Sequence, residues 1–256
     1  MNTEDKAQYQ SVRSVERAIS LLEVLERTRR SMRLTELASE VKISPATARR
    51  LLLVLEAKGL IQRERERYQI GYGVISLAQA CLMESLLRRI SLPPANELSS
   101  ITNETVAVYV RQGFQRIMIL RVEGIKPLSF EAQVGERMPL QLGAGKILAS
   151  GMPDAEIREF LGTISDIKTV NGATISQEEF LDQIKDVRNK GYYISRAERK
   201  KYALSISVPI LSPEKDVIAA LAIVSMDDRI SDTRLVEYLP DMQRAADLIS
   251  YNYFHG

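Results

Sequence analysis

At Gly59 the period of the apolar residues changes, and that change limits what the N-terminal part of the chain can become. Upstream, "VRSVERAISLLEVLERT" (12–28) spaces Val15, Ile19, Leu22 and Leu25 at intervals of four, three and three. That is one face of an amphipathic helix, which Ala18 can join. "RLTELASEV" predicts a second, short helix opened by Thr35, with Leu34, Leu37 and Val41 available to a core. After the break at "KIS", Ser44 is a natural N-cap and Pro45 suits the first helical position. A third helix is expected from there to Lys58, stopped by Gly59. Downstream, "LIQRERERYQIG" alternates over short runs and reads as two strands joined by a charged turn. Three helices followed by a hairpin is the layout of a winged helix-turn-helix.

The next stretch, "GVISLAQACLMESLLRRI" (73–90), predicts a further helix, uncharged before Glu84, with "SLPP" ending it. From Ala95 helices and strands mix. "ETVAVYVRQG" and "QRIMILRVEG" read as a strand pair around Gln112-Gly113, "LSFEAQVGERMPL" as extended chain, and "AGKILASGM" as the opening of a helix. "DAEIREFLG" and "SQEEFLDQIKDVRNKG" are helices, the latter capped by Ser176 and stopped by Gly191. "YALSISVPIL" and "VIAALAIVSM" are core strands bracketing the turn "SPEKD", and a last helix runs from Ser231 to Tyr253. The expected fold class is α+β in two domains, the second built on a largely antiparallel sheet.

Composition narrows the chemistry. The 256 residues allow two domains, and 45% hydrophobic with 27% charged residues is ordinary globular composition. No apolar run approaches the ~18 residues that span a bilayer, and the start lacks the apolar core of a signal peptide. With Cys81 as the single cysteine, no intramolecular disulfide is possible. The cytoplasm is the expected location, without a membrane partner. Histidine occurs once, as His255 beside the C-terminus, which removes a Ser/His/Asp triad, paired zinc histidines and a Cys/His dyad unless the tail folds back. No catalytic residues, metal or cofactor are expected, although a carboxylate- or lysine-based enzyme passes this filter. The net charge of +2 is unevenly spread: residues 1–72 carry fourteen Lys/Arg and ten Asp/Glu, the remainder twenty-one and twenty-three. A basic N-terminal segment on a near-neutral body fits phosphate binding.

In a helix-turn-helix the second helix enters the major groove with its first turns on base edges. The residues so placed are Ser44, Ala46, Thr47, Arg49 and Arg50, with Ala48, Leu52 and Leu55 anchoring the helix from behind. A small apolar group meets a thymine methyl, and an arginine takes guanine or phosphate. Arg63, Arg65 and Arg67 alternate with Glu64 and Glu66, so an unbroken strand carries the arginines on one face, as a wing along a DNA backbone would. Each feature alone also fits a solvated helix and hairpin; their order and spacing together favour DNA. In "LQLGAGKILAS", Gly143 and Gly145 free the backbone ahead of a helix, which suits a carboxylate or other anion, although on sequence alone a tight capping turn is the favoured reading. The spacing and the missing Ser/Thr after the lysine speak against a Walker loop.

In order along the chain, "SVERAISLLEVL", "LTELASEVKISPATARRLLLVLEAKGLIQR", "YQIG", "NETVAVYV", "VGERMPL", "GAGK" and "KGYYIS" resemble an IclR-family transcriptional regulator. The resemblance implies a winged helix-turn-helix over 11–72, a linker helix over 73–91 that helps dimerise it, and a GAF-like effector domain over 92–256. It further implies homodimers or homotetramers on palindromic double-stranded operators, repressing or activating catabolic genes in response to a small-molecule effector. It places Gly143, Ala144 and Gly145 on a turn that contacts a small acid, and Ser195, Ser205, Ala222 and Val224 at further effector positions. Here Ser195 stands where an acid is common, Ser205 where the family has cysteine, Ala222 and Val224 where it has serines, and Tyr202 where it has glycine. Loss of two hydroxyls penalises a small, highly hydrated acid. The expected effector is a more apolar acid, aromatic or medium-chain; Arg199, Lys200 or Lys201 are an alternative source of charge but read first as solvated loop residues. A DNA-binding protein whose second domain only oligomerises, and an enzyme with an appended helical domain, are the alternatives.

Overall fold

A computed structural model describes residues 12–125, 128, 132–164 and 166–256. Ser11, the expected start of the first domain, and Ser129–Glu131 of the expected extended segment lie outside them. The chain forms two compact units, residues 1–84 and 85–256.

In the first unit, α1 (Arg13–Thr28), α2 (Leu34–Glu40) and α3 (Pro45–Ala57) precede a hairpin of β2 (Ile61–Glu64) and β3 (Arg67–Ile70). A two-residue strand the sequence did not announce, β1 (Met32–Arg33), pairs with β3 and completes a three-stranded wing, order β1-β3-β2. The core face of α1 differs from the expected one: Leu21, Val24 and Leu25 are buried, whereas Val15 and Ile19 are exposed. Two apolar stripes overlap on this helix, and the partners Leu52, Leu55, Ile61 and Tyr68 choose between them. Nor does Thr35 open α2. Arg33 is its N-cap, and its N–H donates to the Glu36 carboxylate at 2.6 Å. Gly59 (φ +70°) ends the third helix turn as expected, and its carbonyl lies against Gly73, where a Cβ would come within 2.7 Å of that oxygen. The unit ends in α4 (Gly73–Glu84), which carries no buried residue within it.

The helix expected over 73–90 is in fact two. Ser85 caps α5 (Leu86–Thr102), its hydroxyl accepting from Arg88 N–H at 3.3 Å, and "SLPP" lies inside that helix rather than after it. A proline inside a helix costs ~3 kcal/mol. Burial of Pro94, Ala95 and Leu98, with Leu87 and Ile90 packed alongside, offsets this at ~1.5–3 kcal/mol per large apolar side chain.

The second unit is built on a six-stranded sheet, order β6-β5-β4-β11-β10-β9, antiparallel throughout. Its strands are β4 (Thr105–Gln112), β5 (Gln115–Val122), β6 (Arg137–Pro139), β9 (Tyr193–Arg196), β10 (Ala203–Leu211) and β11 (Val217–Met226). Strand alternation divides the core in two. Val106, Val108, Leu204, Ile206, Leu221 and Ile223 meet α5 and the C-terminal helices on one face. Ala107, Tyr109, Met118, Ala220, Ala222 and Val224 face the side covered by α6 (Gly145–Ser150), α7 (Asp154–Thr163) and α8 (Gln177–Lys190). A short pair, β7 (Ile167–Lys168) and β8 (Thr174–Ile175), links α7 to α8. The last helix is also divided: α9 (Asp232–Glu237) gives way at Tyr238 to α10 (Leu239–His255), where Pro240 fits the first turn but not a helix interior.

Candidate functional site

Two sites emerge, one in each unit. On α3, Ser44 Oγ accepts from Thr47 N–H at 3.2 Å and lies 2.9 Å from the Thr47 hydroxyl, fixing the start of the helix. Ala48, Leu52 and Leu55 are buried, whereas Ala46, Arg49 and Arg50 are exposed. Leu53 and Val54, not singled out in the sequence, are more than half exposed; Ala46, Arg50 and Leu53 form one outward stripe. Arg49 shares a surface depression with Arg33, Thr35, Arg63 and Tyr68.

The alternation expected of the wing arginines is broken by the turn. Arg65 and Glu66 form it, Arg65 at φ +57°, so Glu64 pairs with Arg67 and Arg63 with Tyr68. Arg63 lies over the Tyr68 ring, donates to the Arg65 carbonyl at 2.9 Å and meets Glu66 at 3.1 Å. Arg67 does not join a basic face; it turns back to the Ser31 carbonyl at 3.0 Å. Arg65 is left exposed at the wing tip.

In the second unit the register places Ser195 beside Ser205 and Ser205 beside Val224, one cross-strand row over β9, β10 and β11. Ala222 lies two residues from Val224 on the same face. With Gly143, Ala144 and Ala203 these residues line one cavity of about 50 Å³, above the ~10–15 Å³ that a single water needs. Tyr109, Arg116, Glu198, Arg199 and Lys200 complete its walls. Gly145 is not on the lining: a Cβ there would come within 2.1 Å of the Leu140 carbonyl oxygen, so its place is close packing behind the turn. Lys201 stands outside the cavity, over the ring of Tyr202.

The turn's first N–H is engaged by the protein itself. Gly143 donates to Glu198 Oε2 at 2.7 Å, while Glu198 Oε1 receives Lys146 Nζ at 2.8 Å and the Tyr193 hydroxyl at 2.5 Å. Lys146 Nζ also lies 2.6 Å from that hydroxyl. Ala197 (φ +48°) turns the β9–β10 connection so that Glu198 points inward. Burial lowers the Lys146 pKa, with the Glu198 carboxylate opposing it, and burial together with the same carboxylate raises the Tyr193 phenol. None of Arg116, Lys146, Tyr193 or Glu198 was singled out in the sequence. The signal for Arg116 is its phase: in "QRIMIL" it shares a face with Met118. Among the described residues no cluster of His, Cys, Asp or Glu can hold a metal, and no helix is long and apolar enough to cross a membrane.

A winged helix-turn-helix joined to a sheet unit enclosing a charged cavity is the architecture of a ligand-responsive DNA-binding regulator. The chain matches the IclR helix-turn-helix domain over residues 14–65 and the bacterial transcriptional regulator IclR C-terminal domain over residues 79–251. It belongs to the IclR family of transcriptional regulators. It is 24% identical over 242 residues to the HTH-type transcriptional regulator XynR of Escherichia coli (strain K12), covering 93% of this chain and 96% of that one. The crystal structure of a transcriptional regulator of this family from Alicyclobacillus acidocaldarius superposes with a TM-score of 0.80 at 22% identity, over 95% of this chain and 99% of the other. An IclR homologue from Microbacterium hydrocarbonoxydans, crystallised with 4-hydroxybenzoate, gives a TM-score of 0.74 at 21% identity, over 95% and 100%.

Proposed function

We propose that this regulator senses a small organic acid in the cavity between the Gly143 turn and the β9–β10–β11 floor, and that acid binding alters its hold on a palindromic operator beside catabolic genes. The observation that carries this reading is convergence. Gly143, Ala144, Ser195, Ser205, Ala222 and Val224, far apart in sequence, line one cavity with three cationic side chains, Arg116, Arg199 and Lys200. Ala203, Ala222 and Val224 supply an apolar floor for the body of an aromatic or medium-chain acid. Admitting it requires the cavity of about 50 Å³ to widen, since benzene fills a cavity of ~150 Å³. The 4-hydroxybenzoate held by the Microbacterium homologue is consistent with that class.

On the DNA side, Ala46, Arg50 and Leu53 read base edges, while Ser44, Thr47, Arg49, Arg63 and Arg65 meet the backbone. A palindromic operator calls for a two-fold assembly, so the working form is a homodimer or homotetramer. It acts in the cytoplasm and not as a catalyst. The test is selection of genomic fragments by the purified protein, then operator titration with and without acids suggested by the neighbouring genes. Arg50→Ala should weaken operator binding by ~1–3 kcal/mol if it reads a base. Operator affinity indifferent to every acid would overturn the sensing role, and an unchanged Arg50→Ala would remove that contact.

A further inference from the structure

The Gly143 turn is a poor place for a ligand's negative charge in this chain. Its N–H is engaged by Glu198 Oε2 at 2.7 Å. An acid seated there must take that N–H from Glu198 Oε2, and moving the carboxylate strains the 2.8 Å contact of its other oxygen with Lys146, which is fully buried. Breaking a buried ion pair by removing one partner is strongly unfavourable. Seating the acid beside Glu198 instead sets two like charges against each other in a desolvated wall.

Arg116 offers the alternative. It projects from β5, is only 5% exposed, and lines the cavity. Its guanidinium lies over the Tyr109 ring, 5.0 Å from the centroid, which holds the plane of the fork. Nη1 and Nη2 lie 3.1 and 3.3 Å from the position a Gly143 Cβ would take, so the absence of a side chain at Gly143 lets the guanidinium reach this wall. A guanidinium is always charged, and its paired N–H groups match the two oxygens of a carboxylate.

We infer that Arg116 receives the carboxylate of the effector, whose apolar body then lies over Ala222 and Val224. The Gly143 turn serves as a notch for the arginine and not as the anion holder. Lys200 adds positive charge to the lining, while the charge of Arg199 is offset by Glu136 at 3.4 Å. This inference rests on the effector reading of the cavity, and it assigns the ligand a free carboxylate: esters and amides of the same skeleton bind more weakly.

The test is calorimetric titration of the full-length protein with benzoate, 4-hydroxybenzoate and octanoate, each paired with its amide, for wild type, Arg116→Met and Arg116→Lys. A charge-assisted hydrogen bond is worth enough that Arg116→Met should lose about 10- to 100-fold in acid affinity with the amide unaffected. Arg116→Lys should recover part of the loss. Acid binding by Arg116→Met at wild-type strength, with operator affinity still responding, would overturn the Arg116 assignment and leave the sensing role standing. Failure of every acid to bind wild type or to alter operator affinity would overturn both. If Arg116→Met does not fold, nitrogen-labelled wild type decides. Acid should shift an arginine side-chain resonance, absent from Arg116→Lys, and leave the Gly143 amide in place; the reverse pattern overturns the inference.

Discussion

Gly145 shows how tightly individual residues are set around the cavity. A Cβ there would overlap the Leu140 carbonyl, a backbone atom that cannot swing away. Gly145→Ala should therefore destabilise the second unit by about 3 kcal/mol, visible as a lower urea midpoint; an unchanged midpoint would mean that the turn yields freely. Tyr193 sets a pH limit. Its phenol is raised above the ordinary 10.0, so above that pH the unfolded chain releases a proton that the folded chain keeps. The stabilisation is fully present below pH 10 and declines as the pH climbs past it. Lys146, lowered by burial, acts in the opposite sense, favouring the fold as pH rises towards its ordinary 10.5. Comparison with Tyr193→Phe isolates the phenol: the stability advantage of wild type should shrink above pH ~10, and a constant advantage would refute the assignment. Neither effect was readable in advance. "RAERKKY" has the composition of a solvated loop, and only the positive φ at Ala197 turns Glu198 inward. Lys146 reads as a helix surface residue until the fold covers it.

Elements were legible where the signal is local. Ser44-Pro45 and Gly59 fix α3 from both ends, and Ser176 with Gly191 does the same for α8. Since the Ser44 cap satisfies an otherwise orphaned N–H, Ser44→Ala should cost the first unit about 1 kcal/mol and leave the melting of the second unit unchanged. A loss shared by both units would show that the cap is not acting locally. Elements were misread where tertiary burial outweighs local preference. The prolines of "SLPP" are strong breakers in isolation, yet α5 runs through them because its buried face includes Pro94 and Leu98. The face of α1 could not be chosen from its own period, since the deciding residues lie on α3 and the wing. At the wing, alternation held only as far as the turn at Arg65.

At the scale of the molecule, order along the chain carried the family, whereas the cavity depended on strand register. Ser195, Ser205 and Val224 share a row only because β9, β10 and β11 pair as they do. A regulator of this kind obeys reciprocity: if saturating acid changes operator affinity by some factor, saturating operator must change acid affinity by the same factor, typically about 5- to 150-fold. Paired titrations check this, and unequal factors would mean that the two ligands do not act through one equilibrium. The Lys146–Glu198–Tyr193 network bears on how such a sensor diversifies. These three side chains hold one another across the wall, whereas the floor is made of small strand residues with no share in that mutual bonding. With the effector seated there as proposed, exchanges at the floor would retune which molecule is admitted while the scaffold that keeps the chamber in shape stays intact.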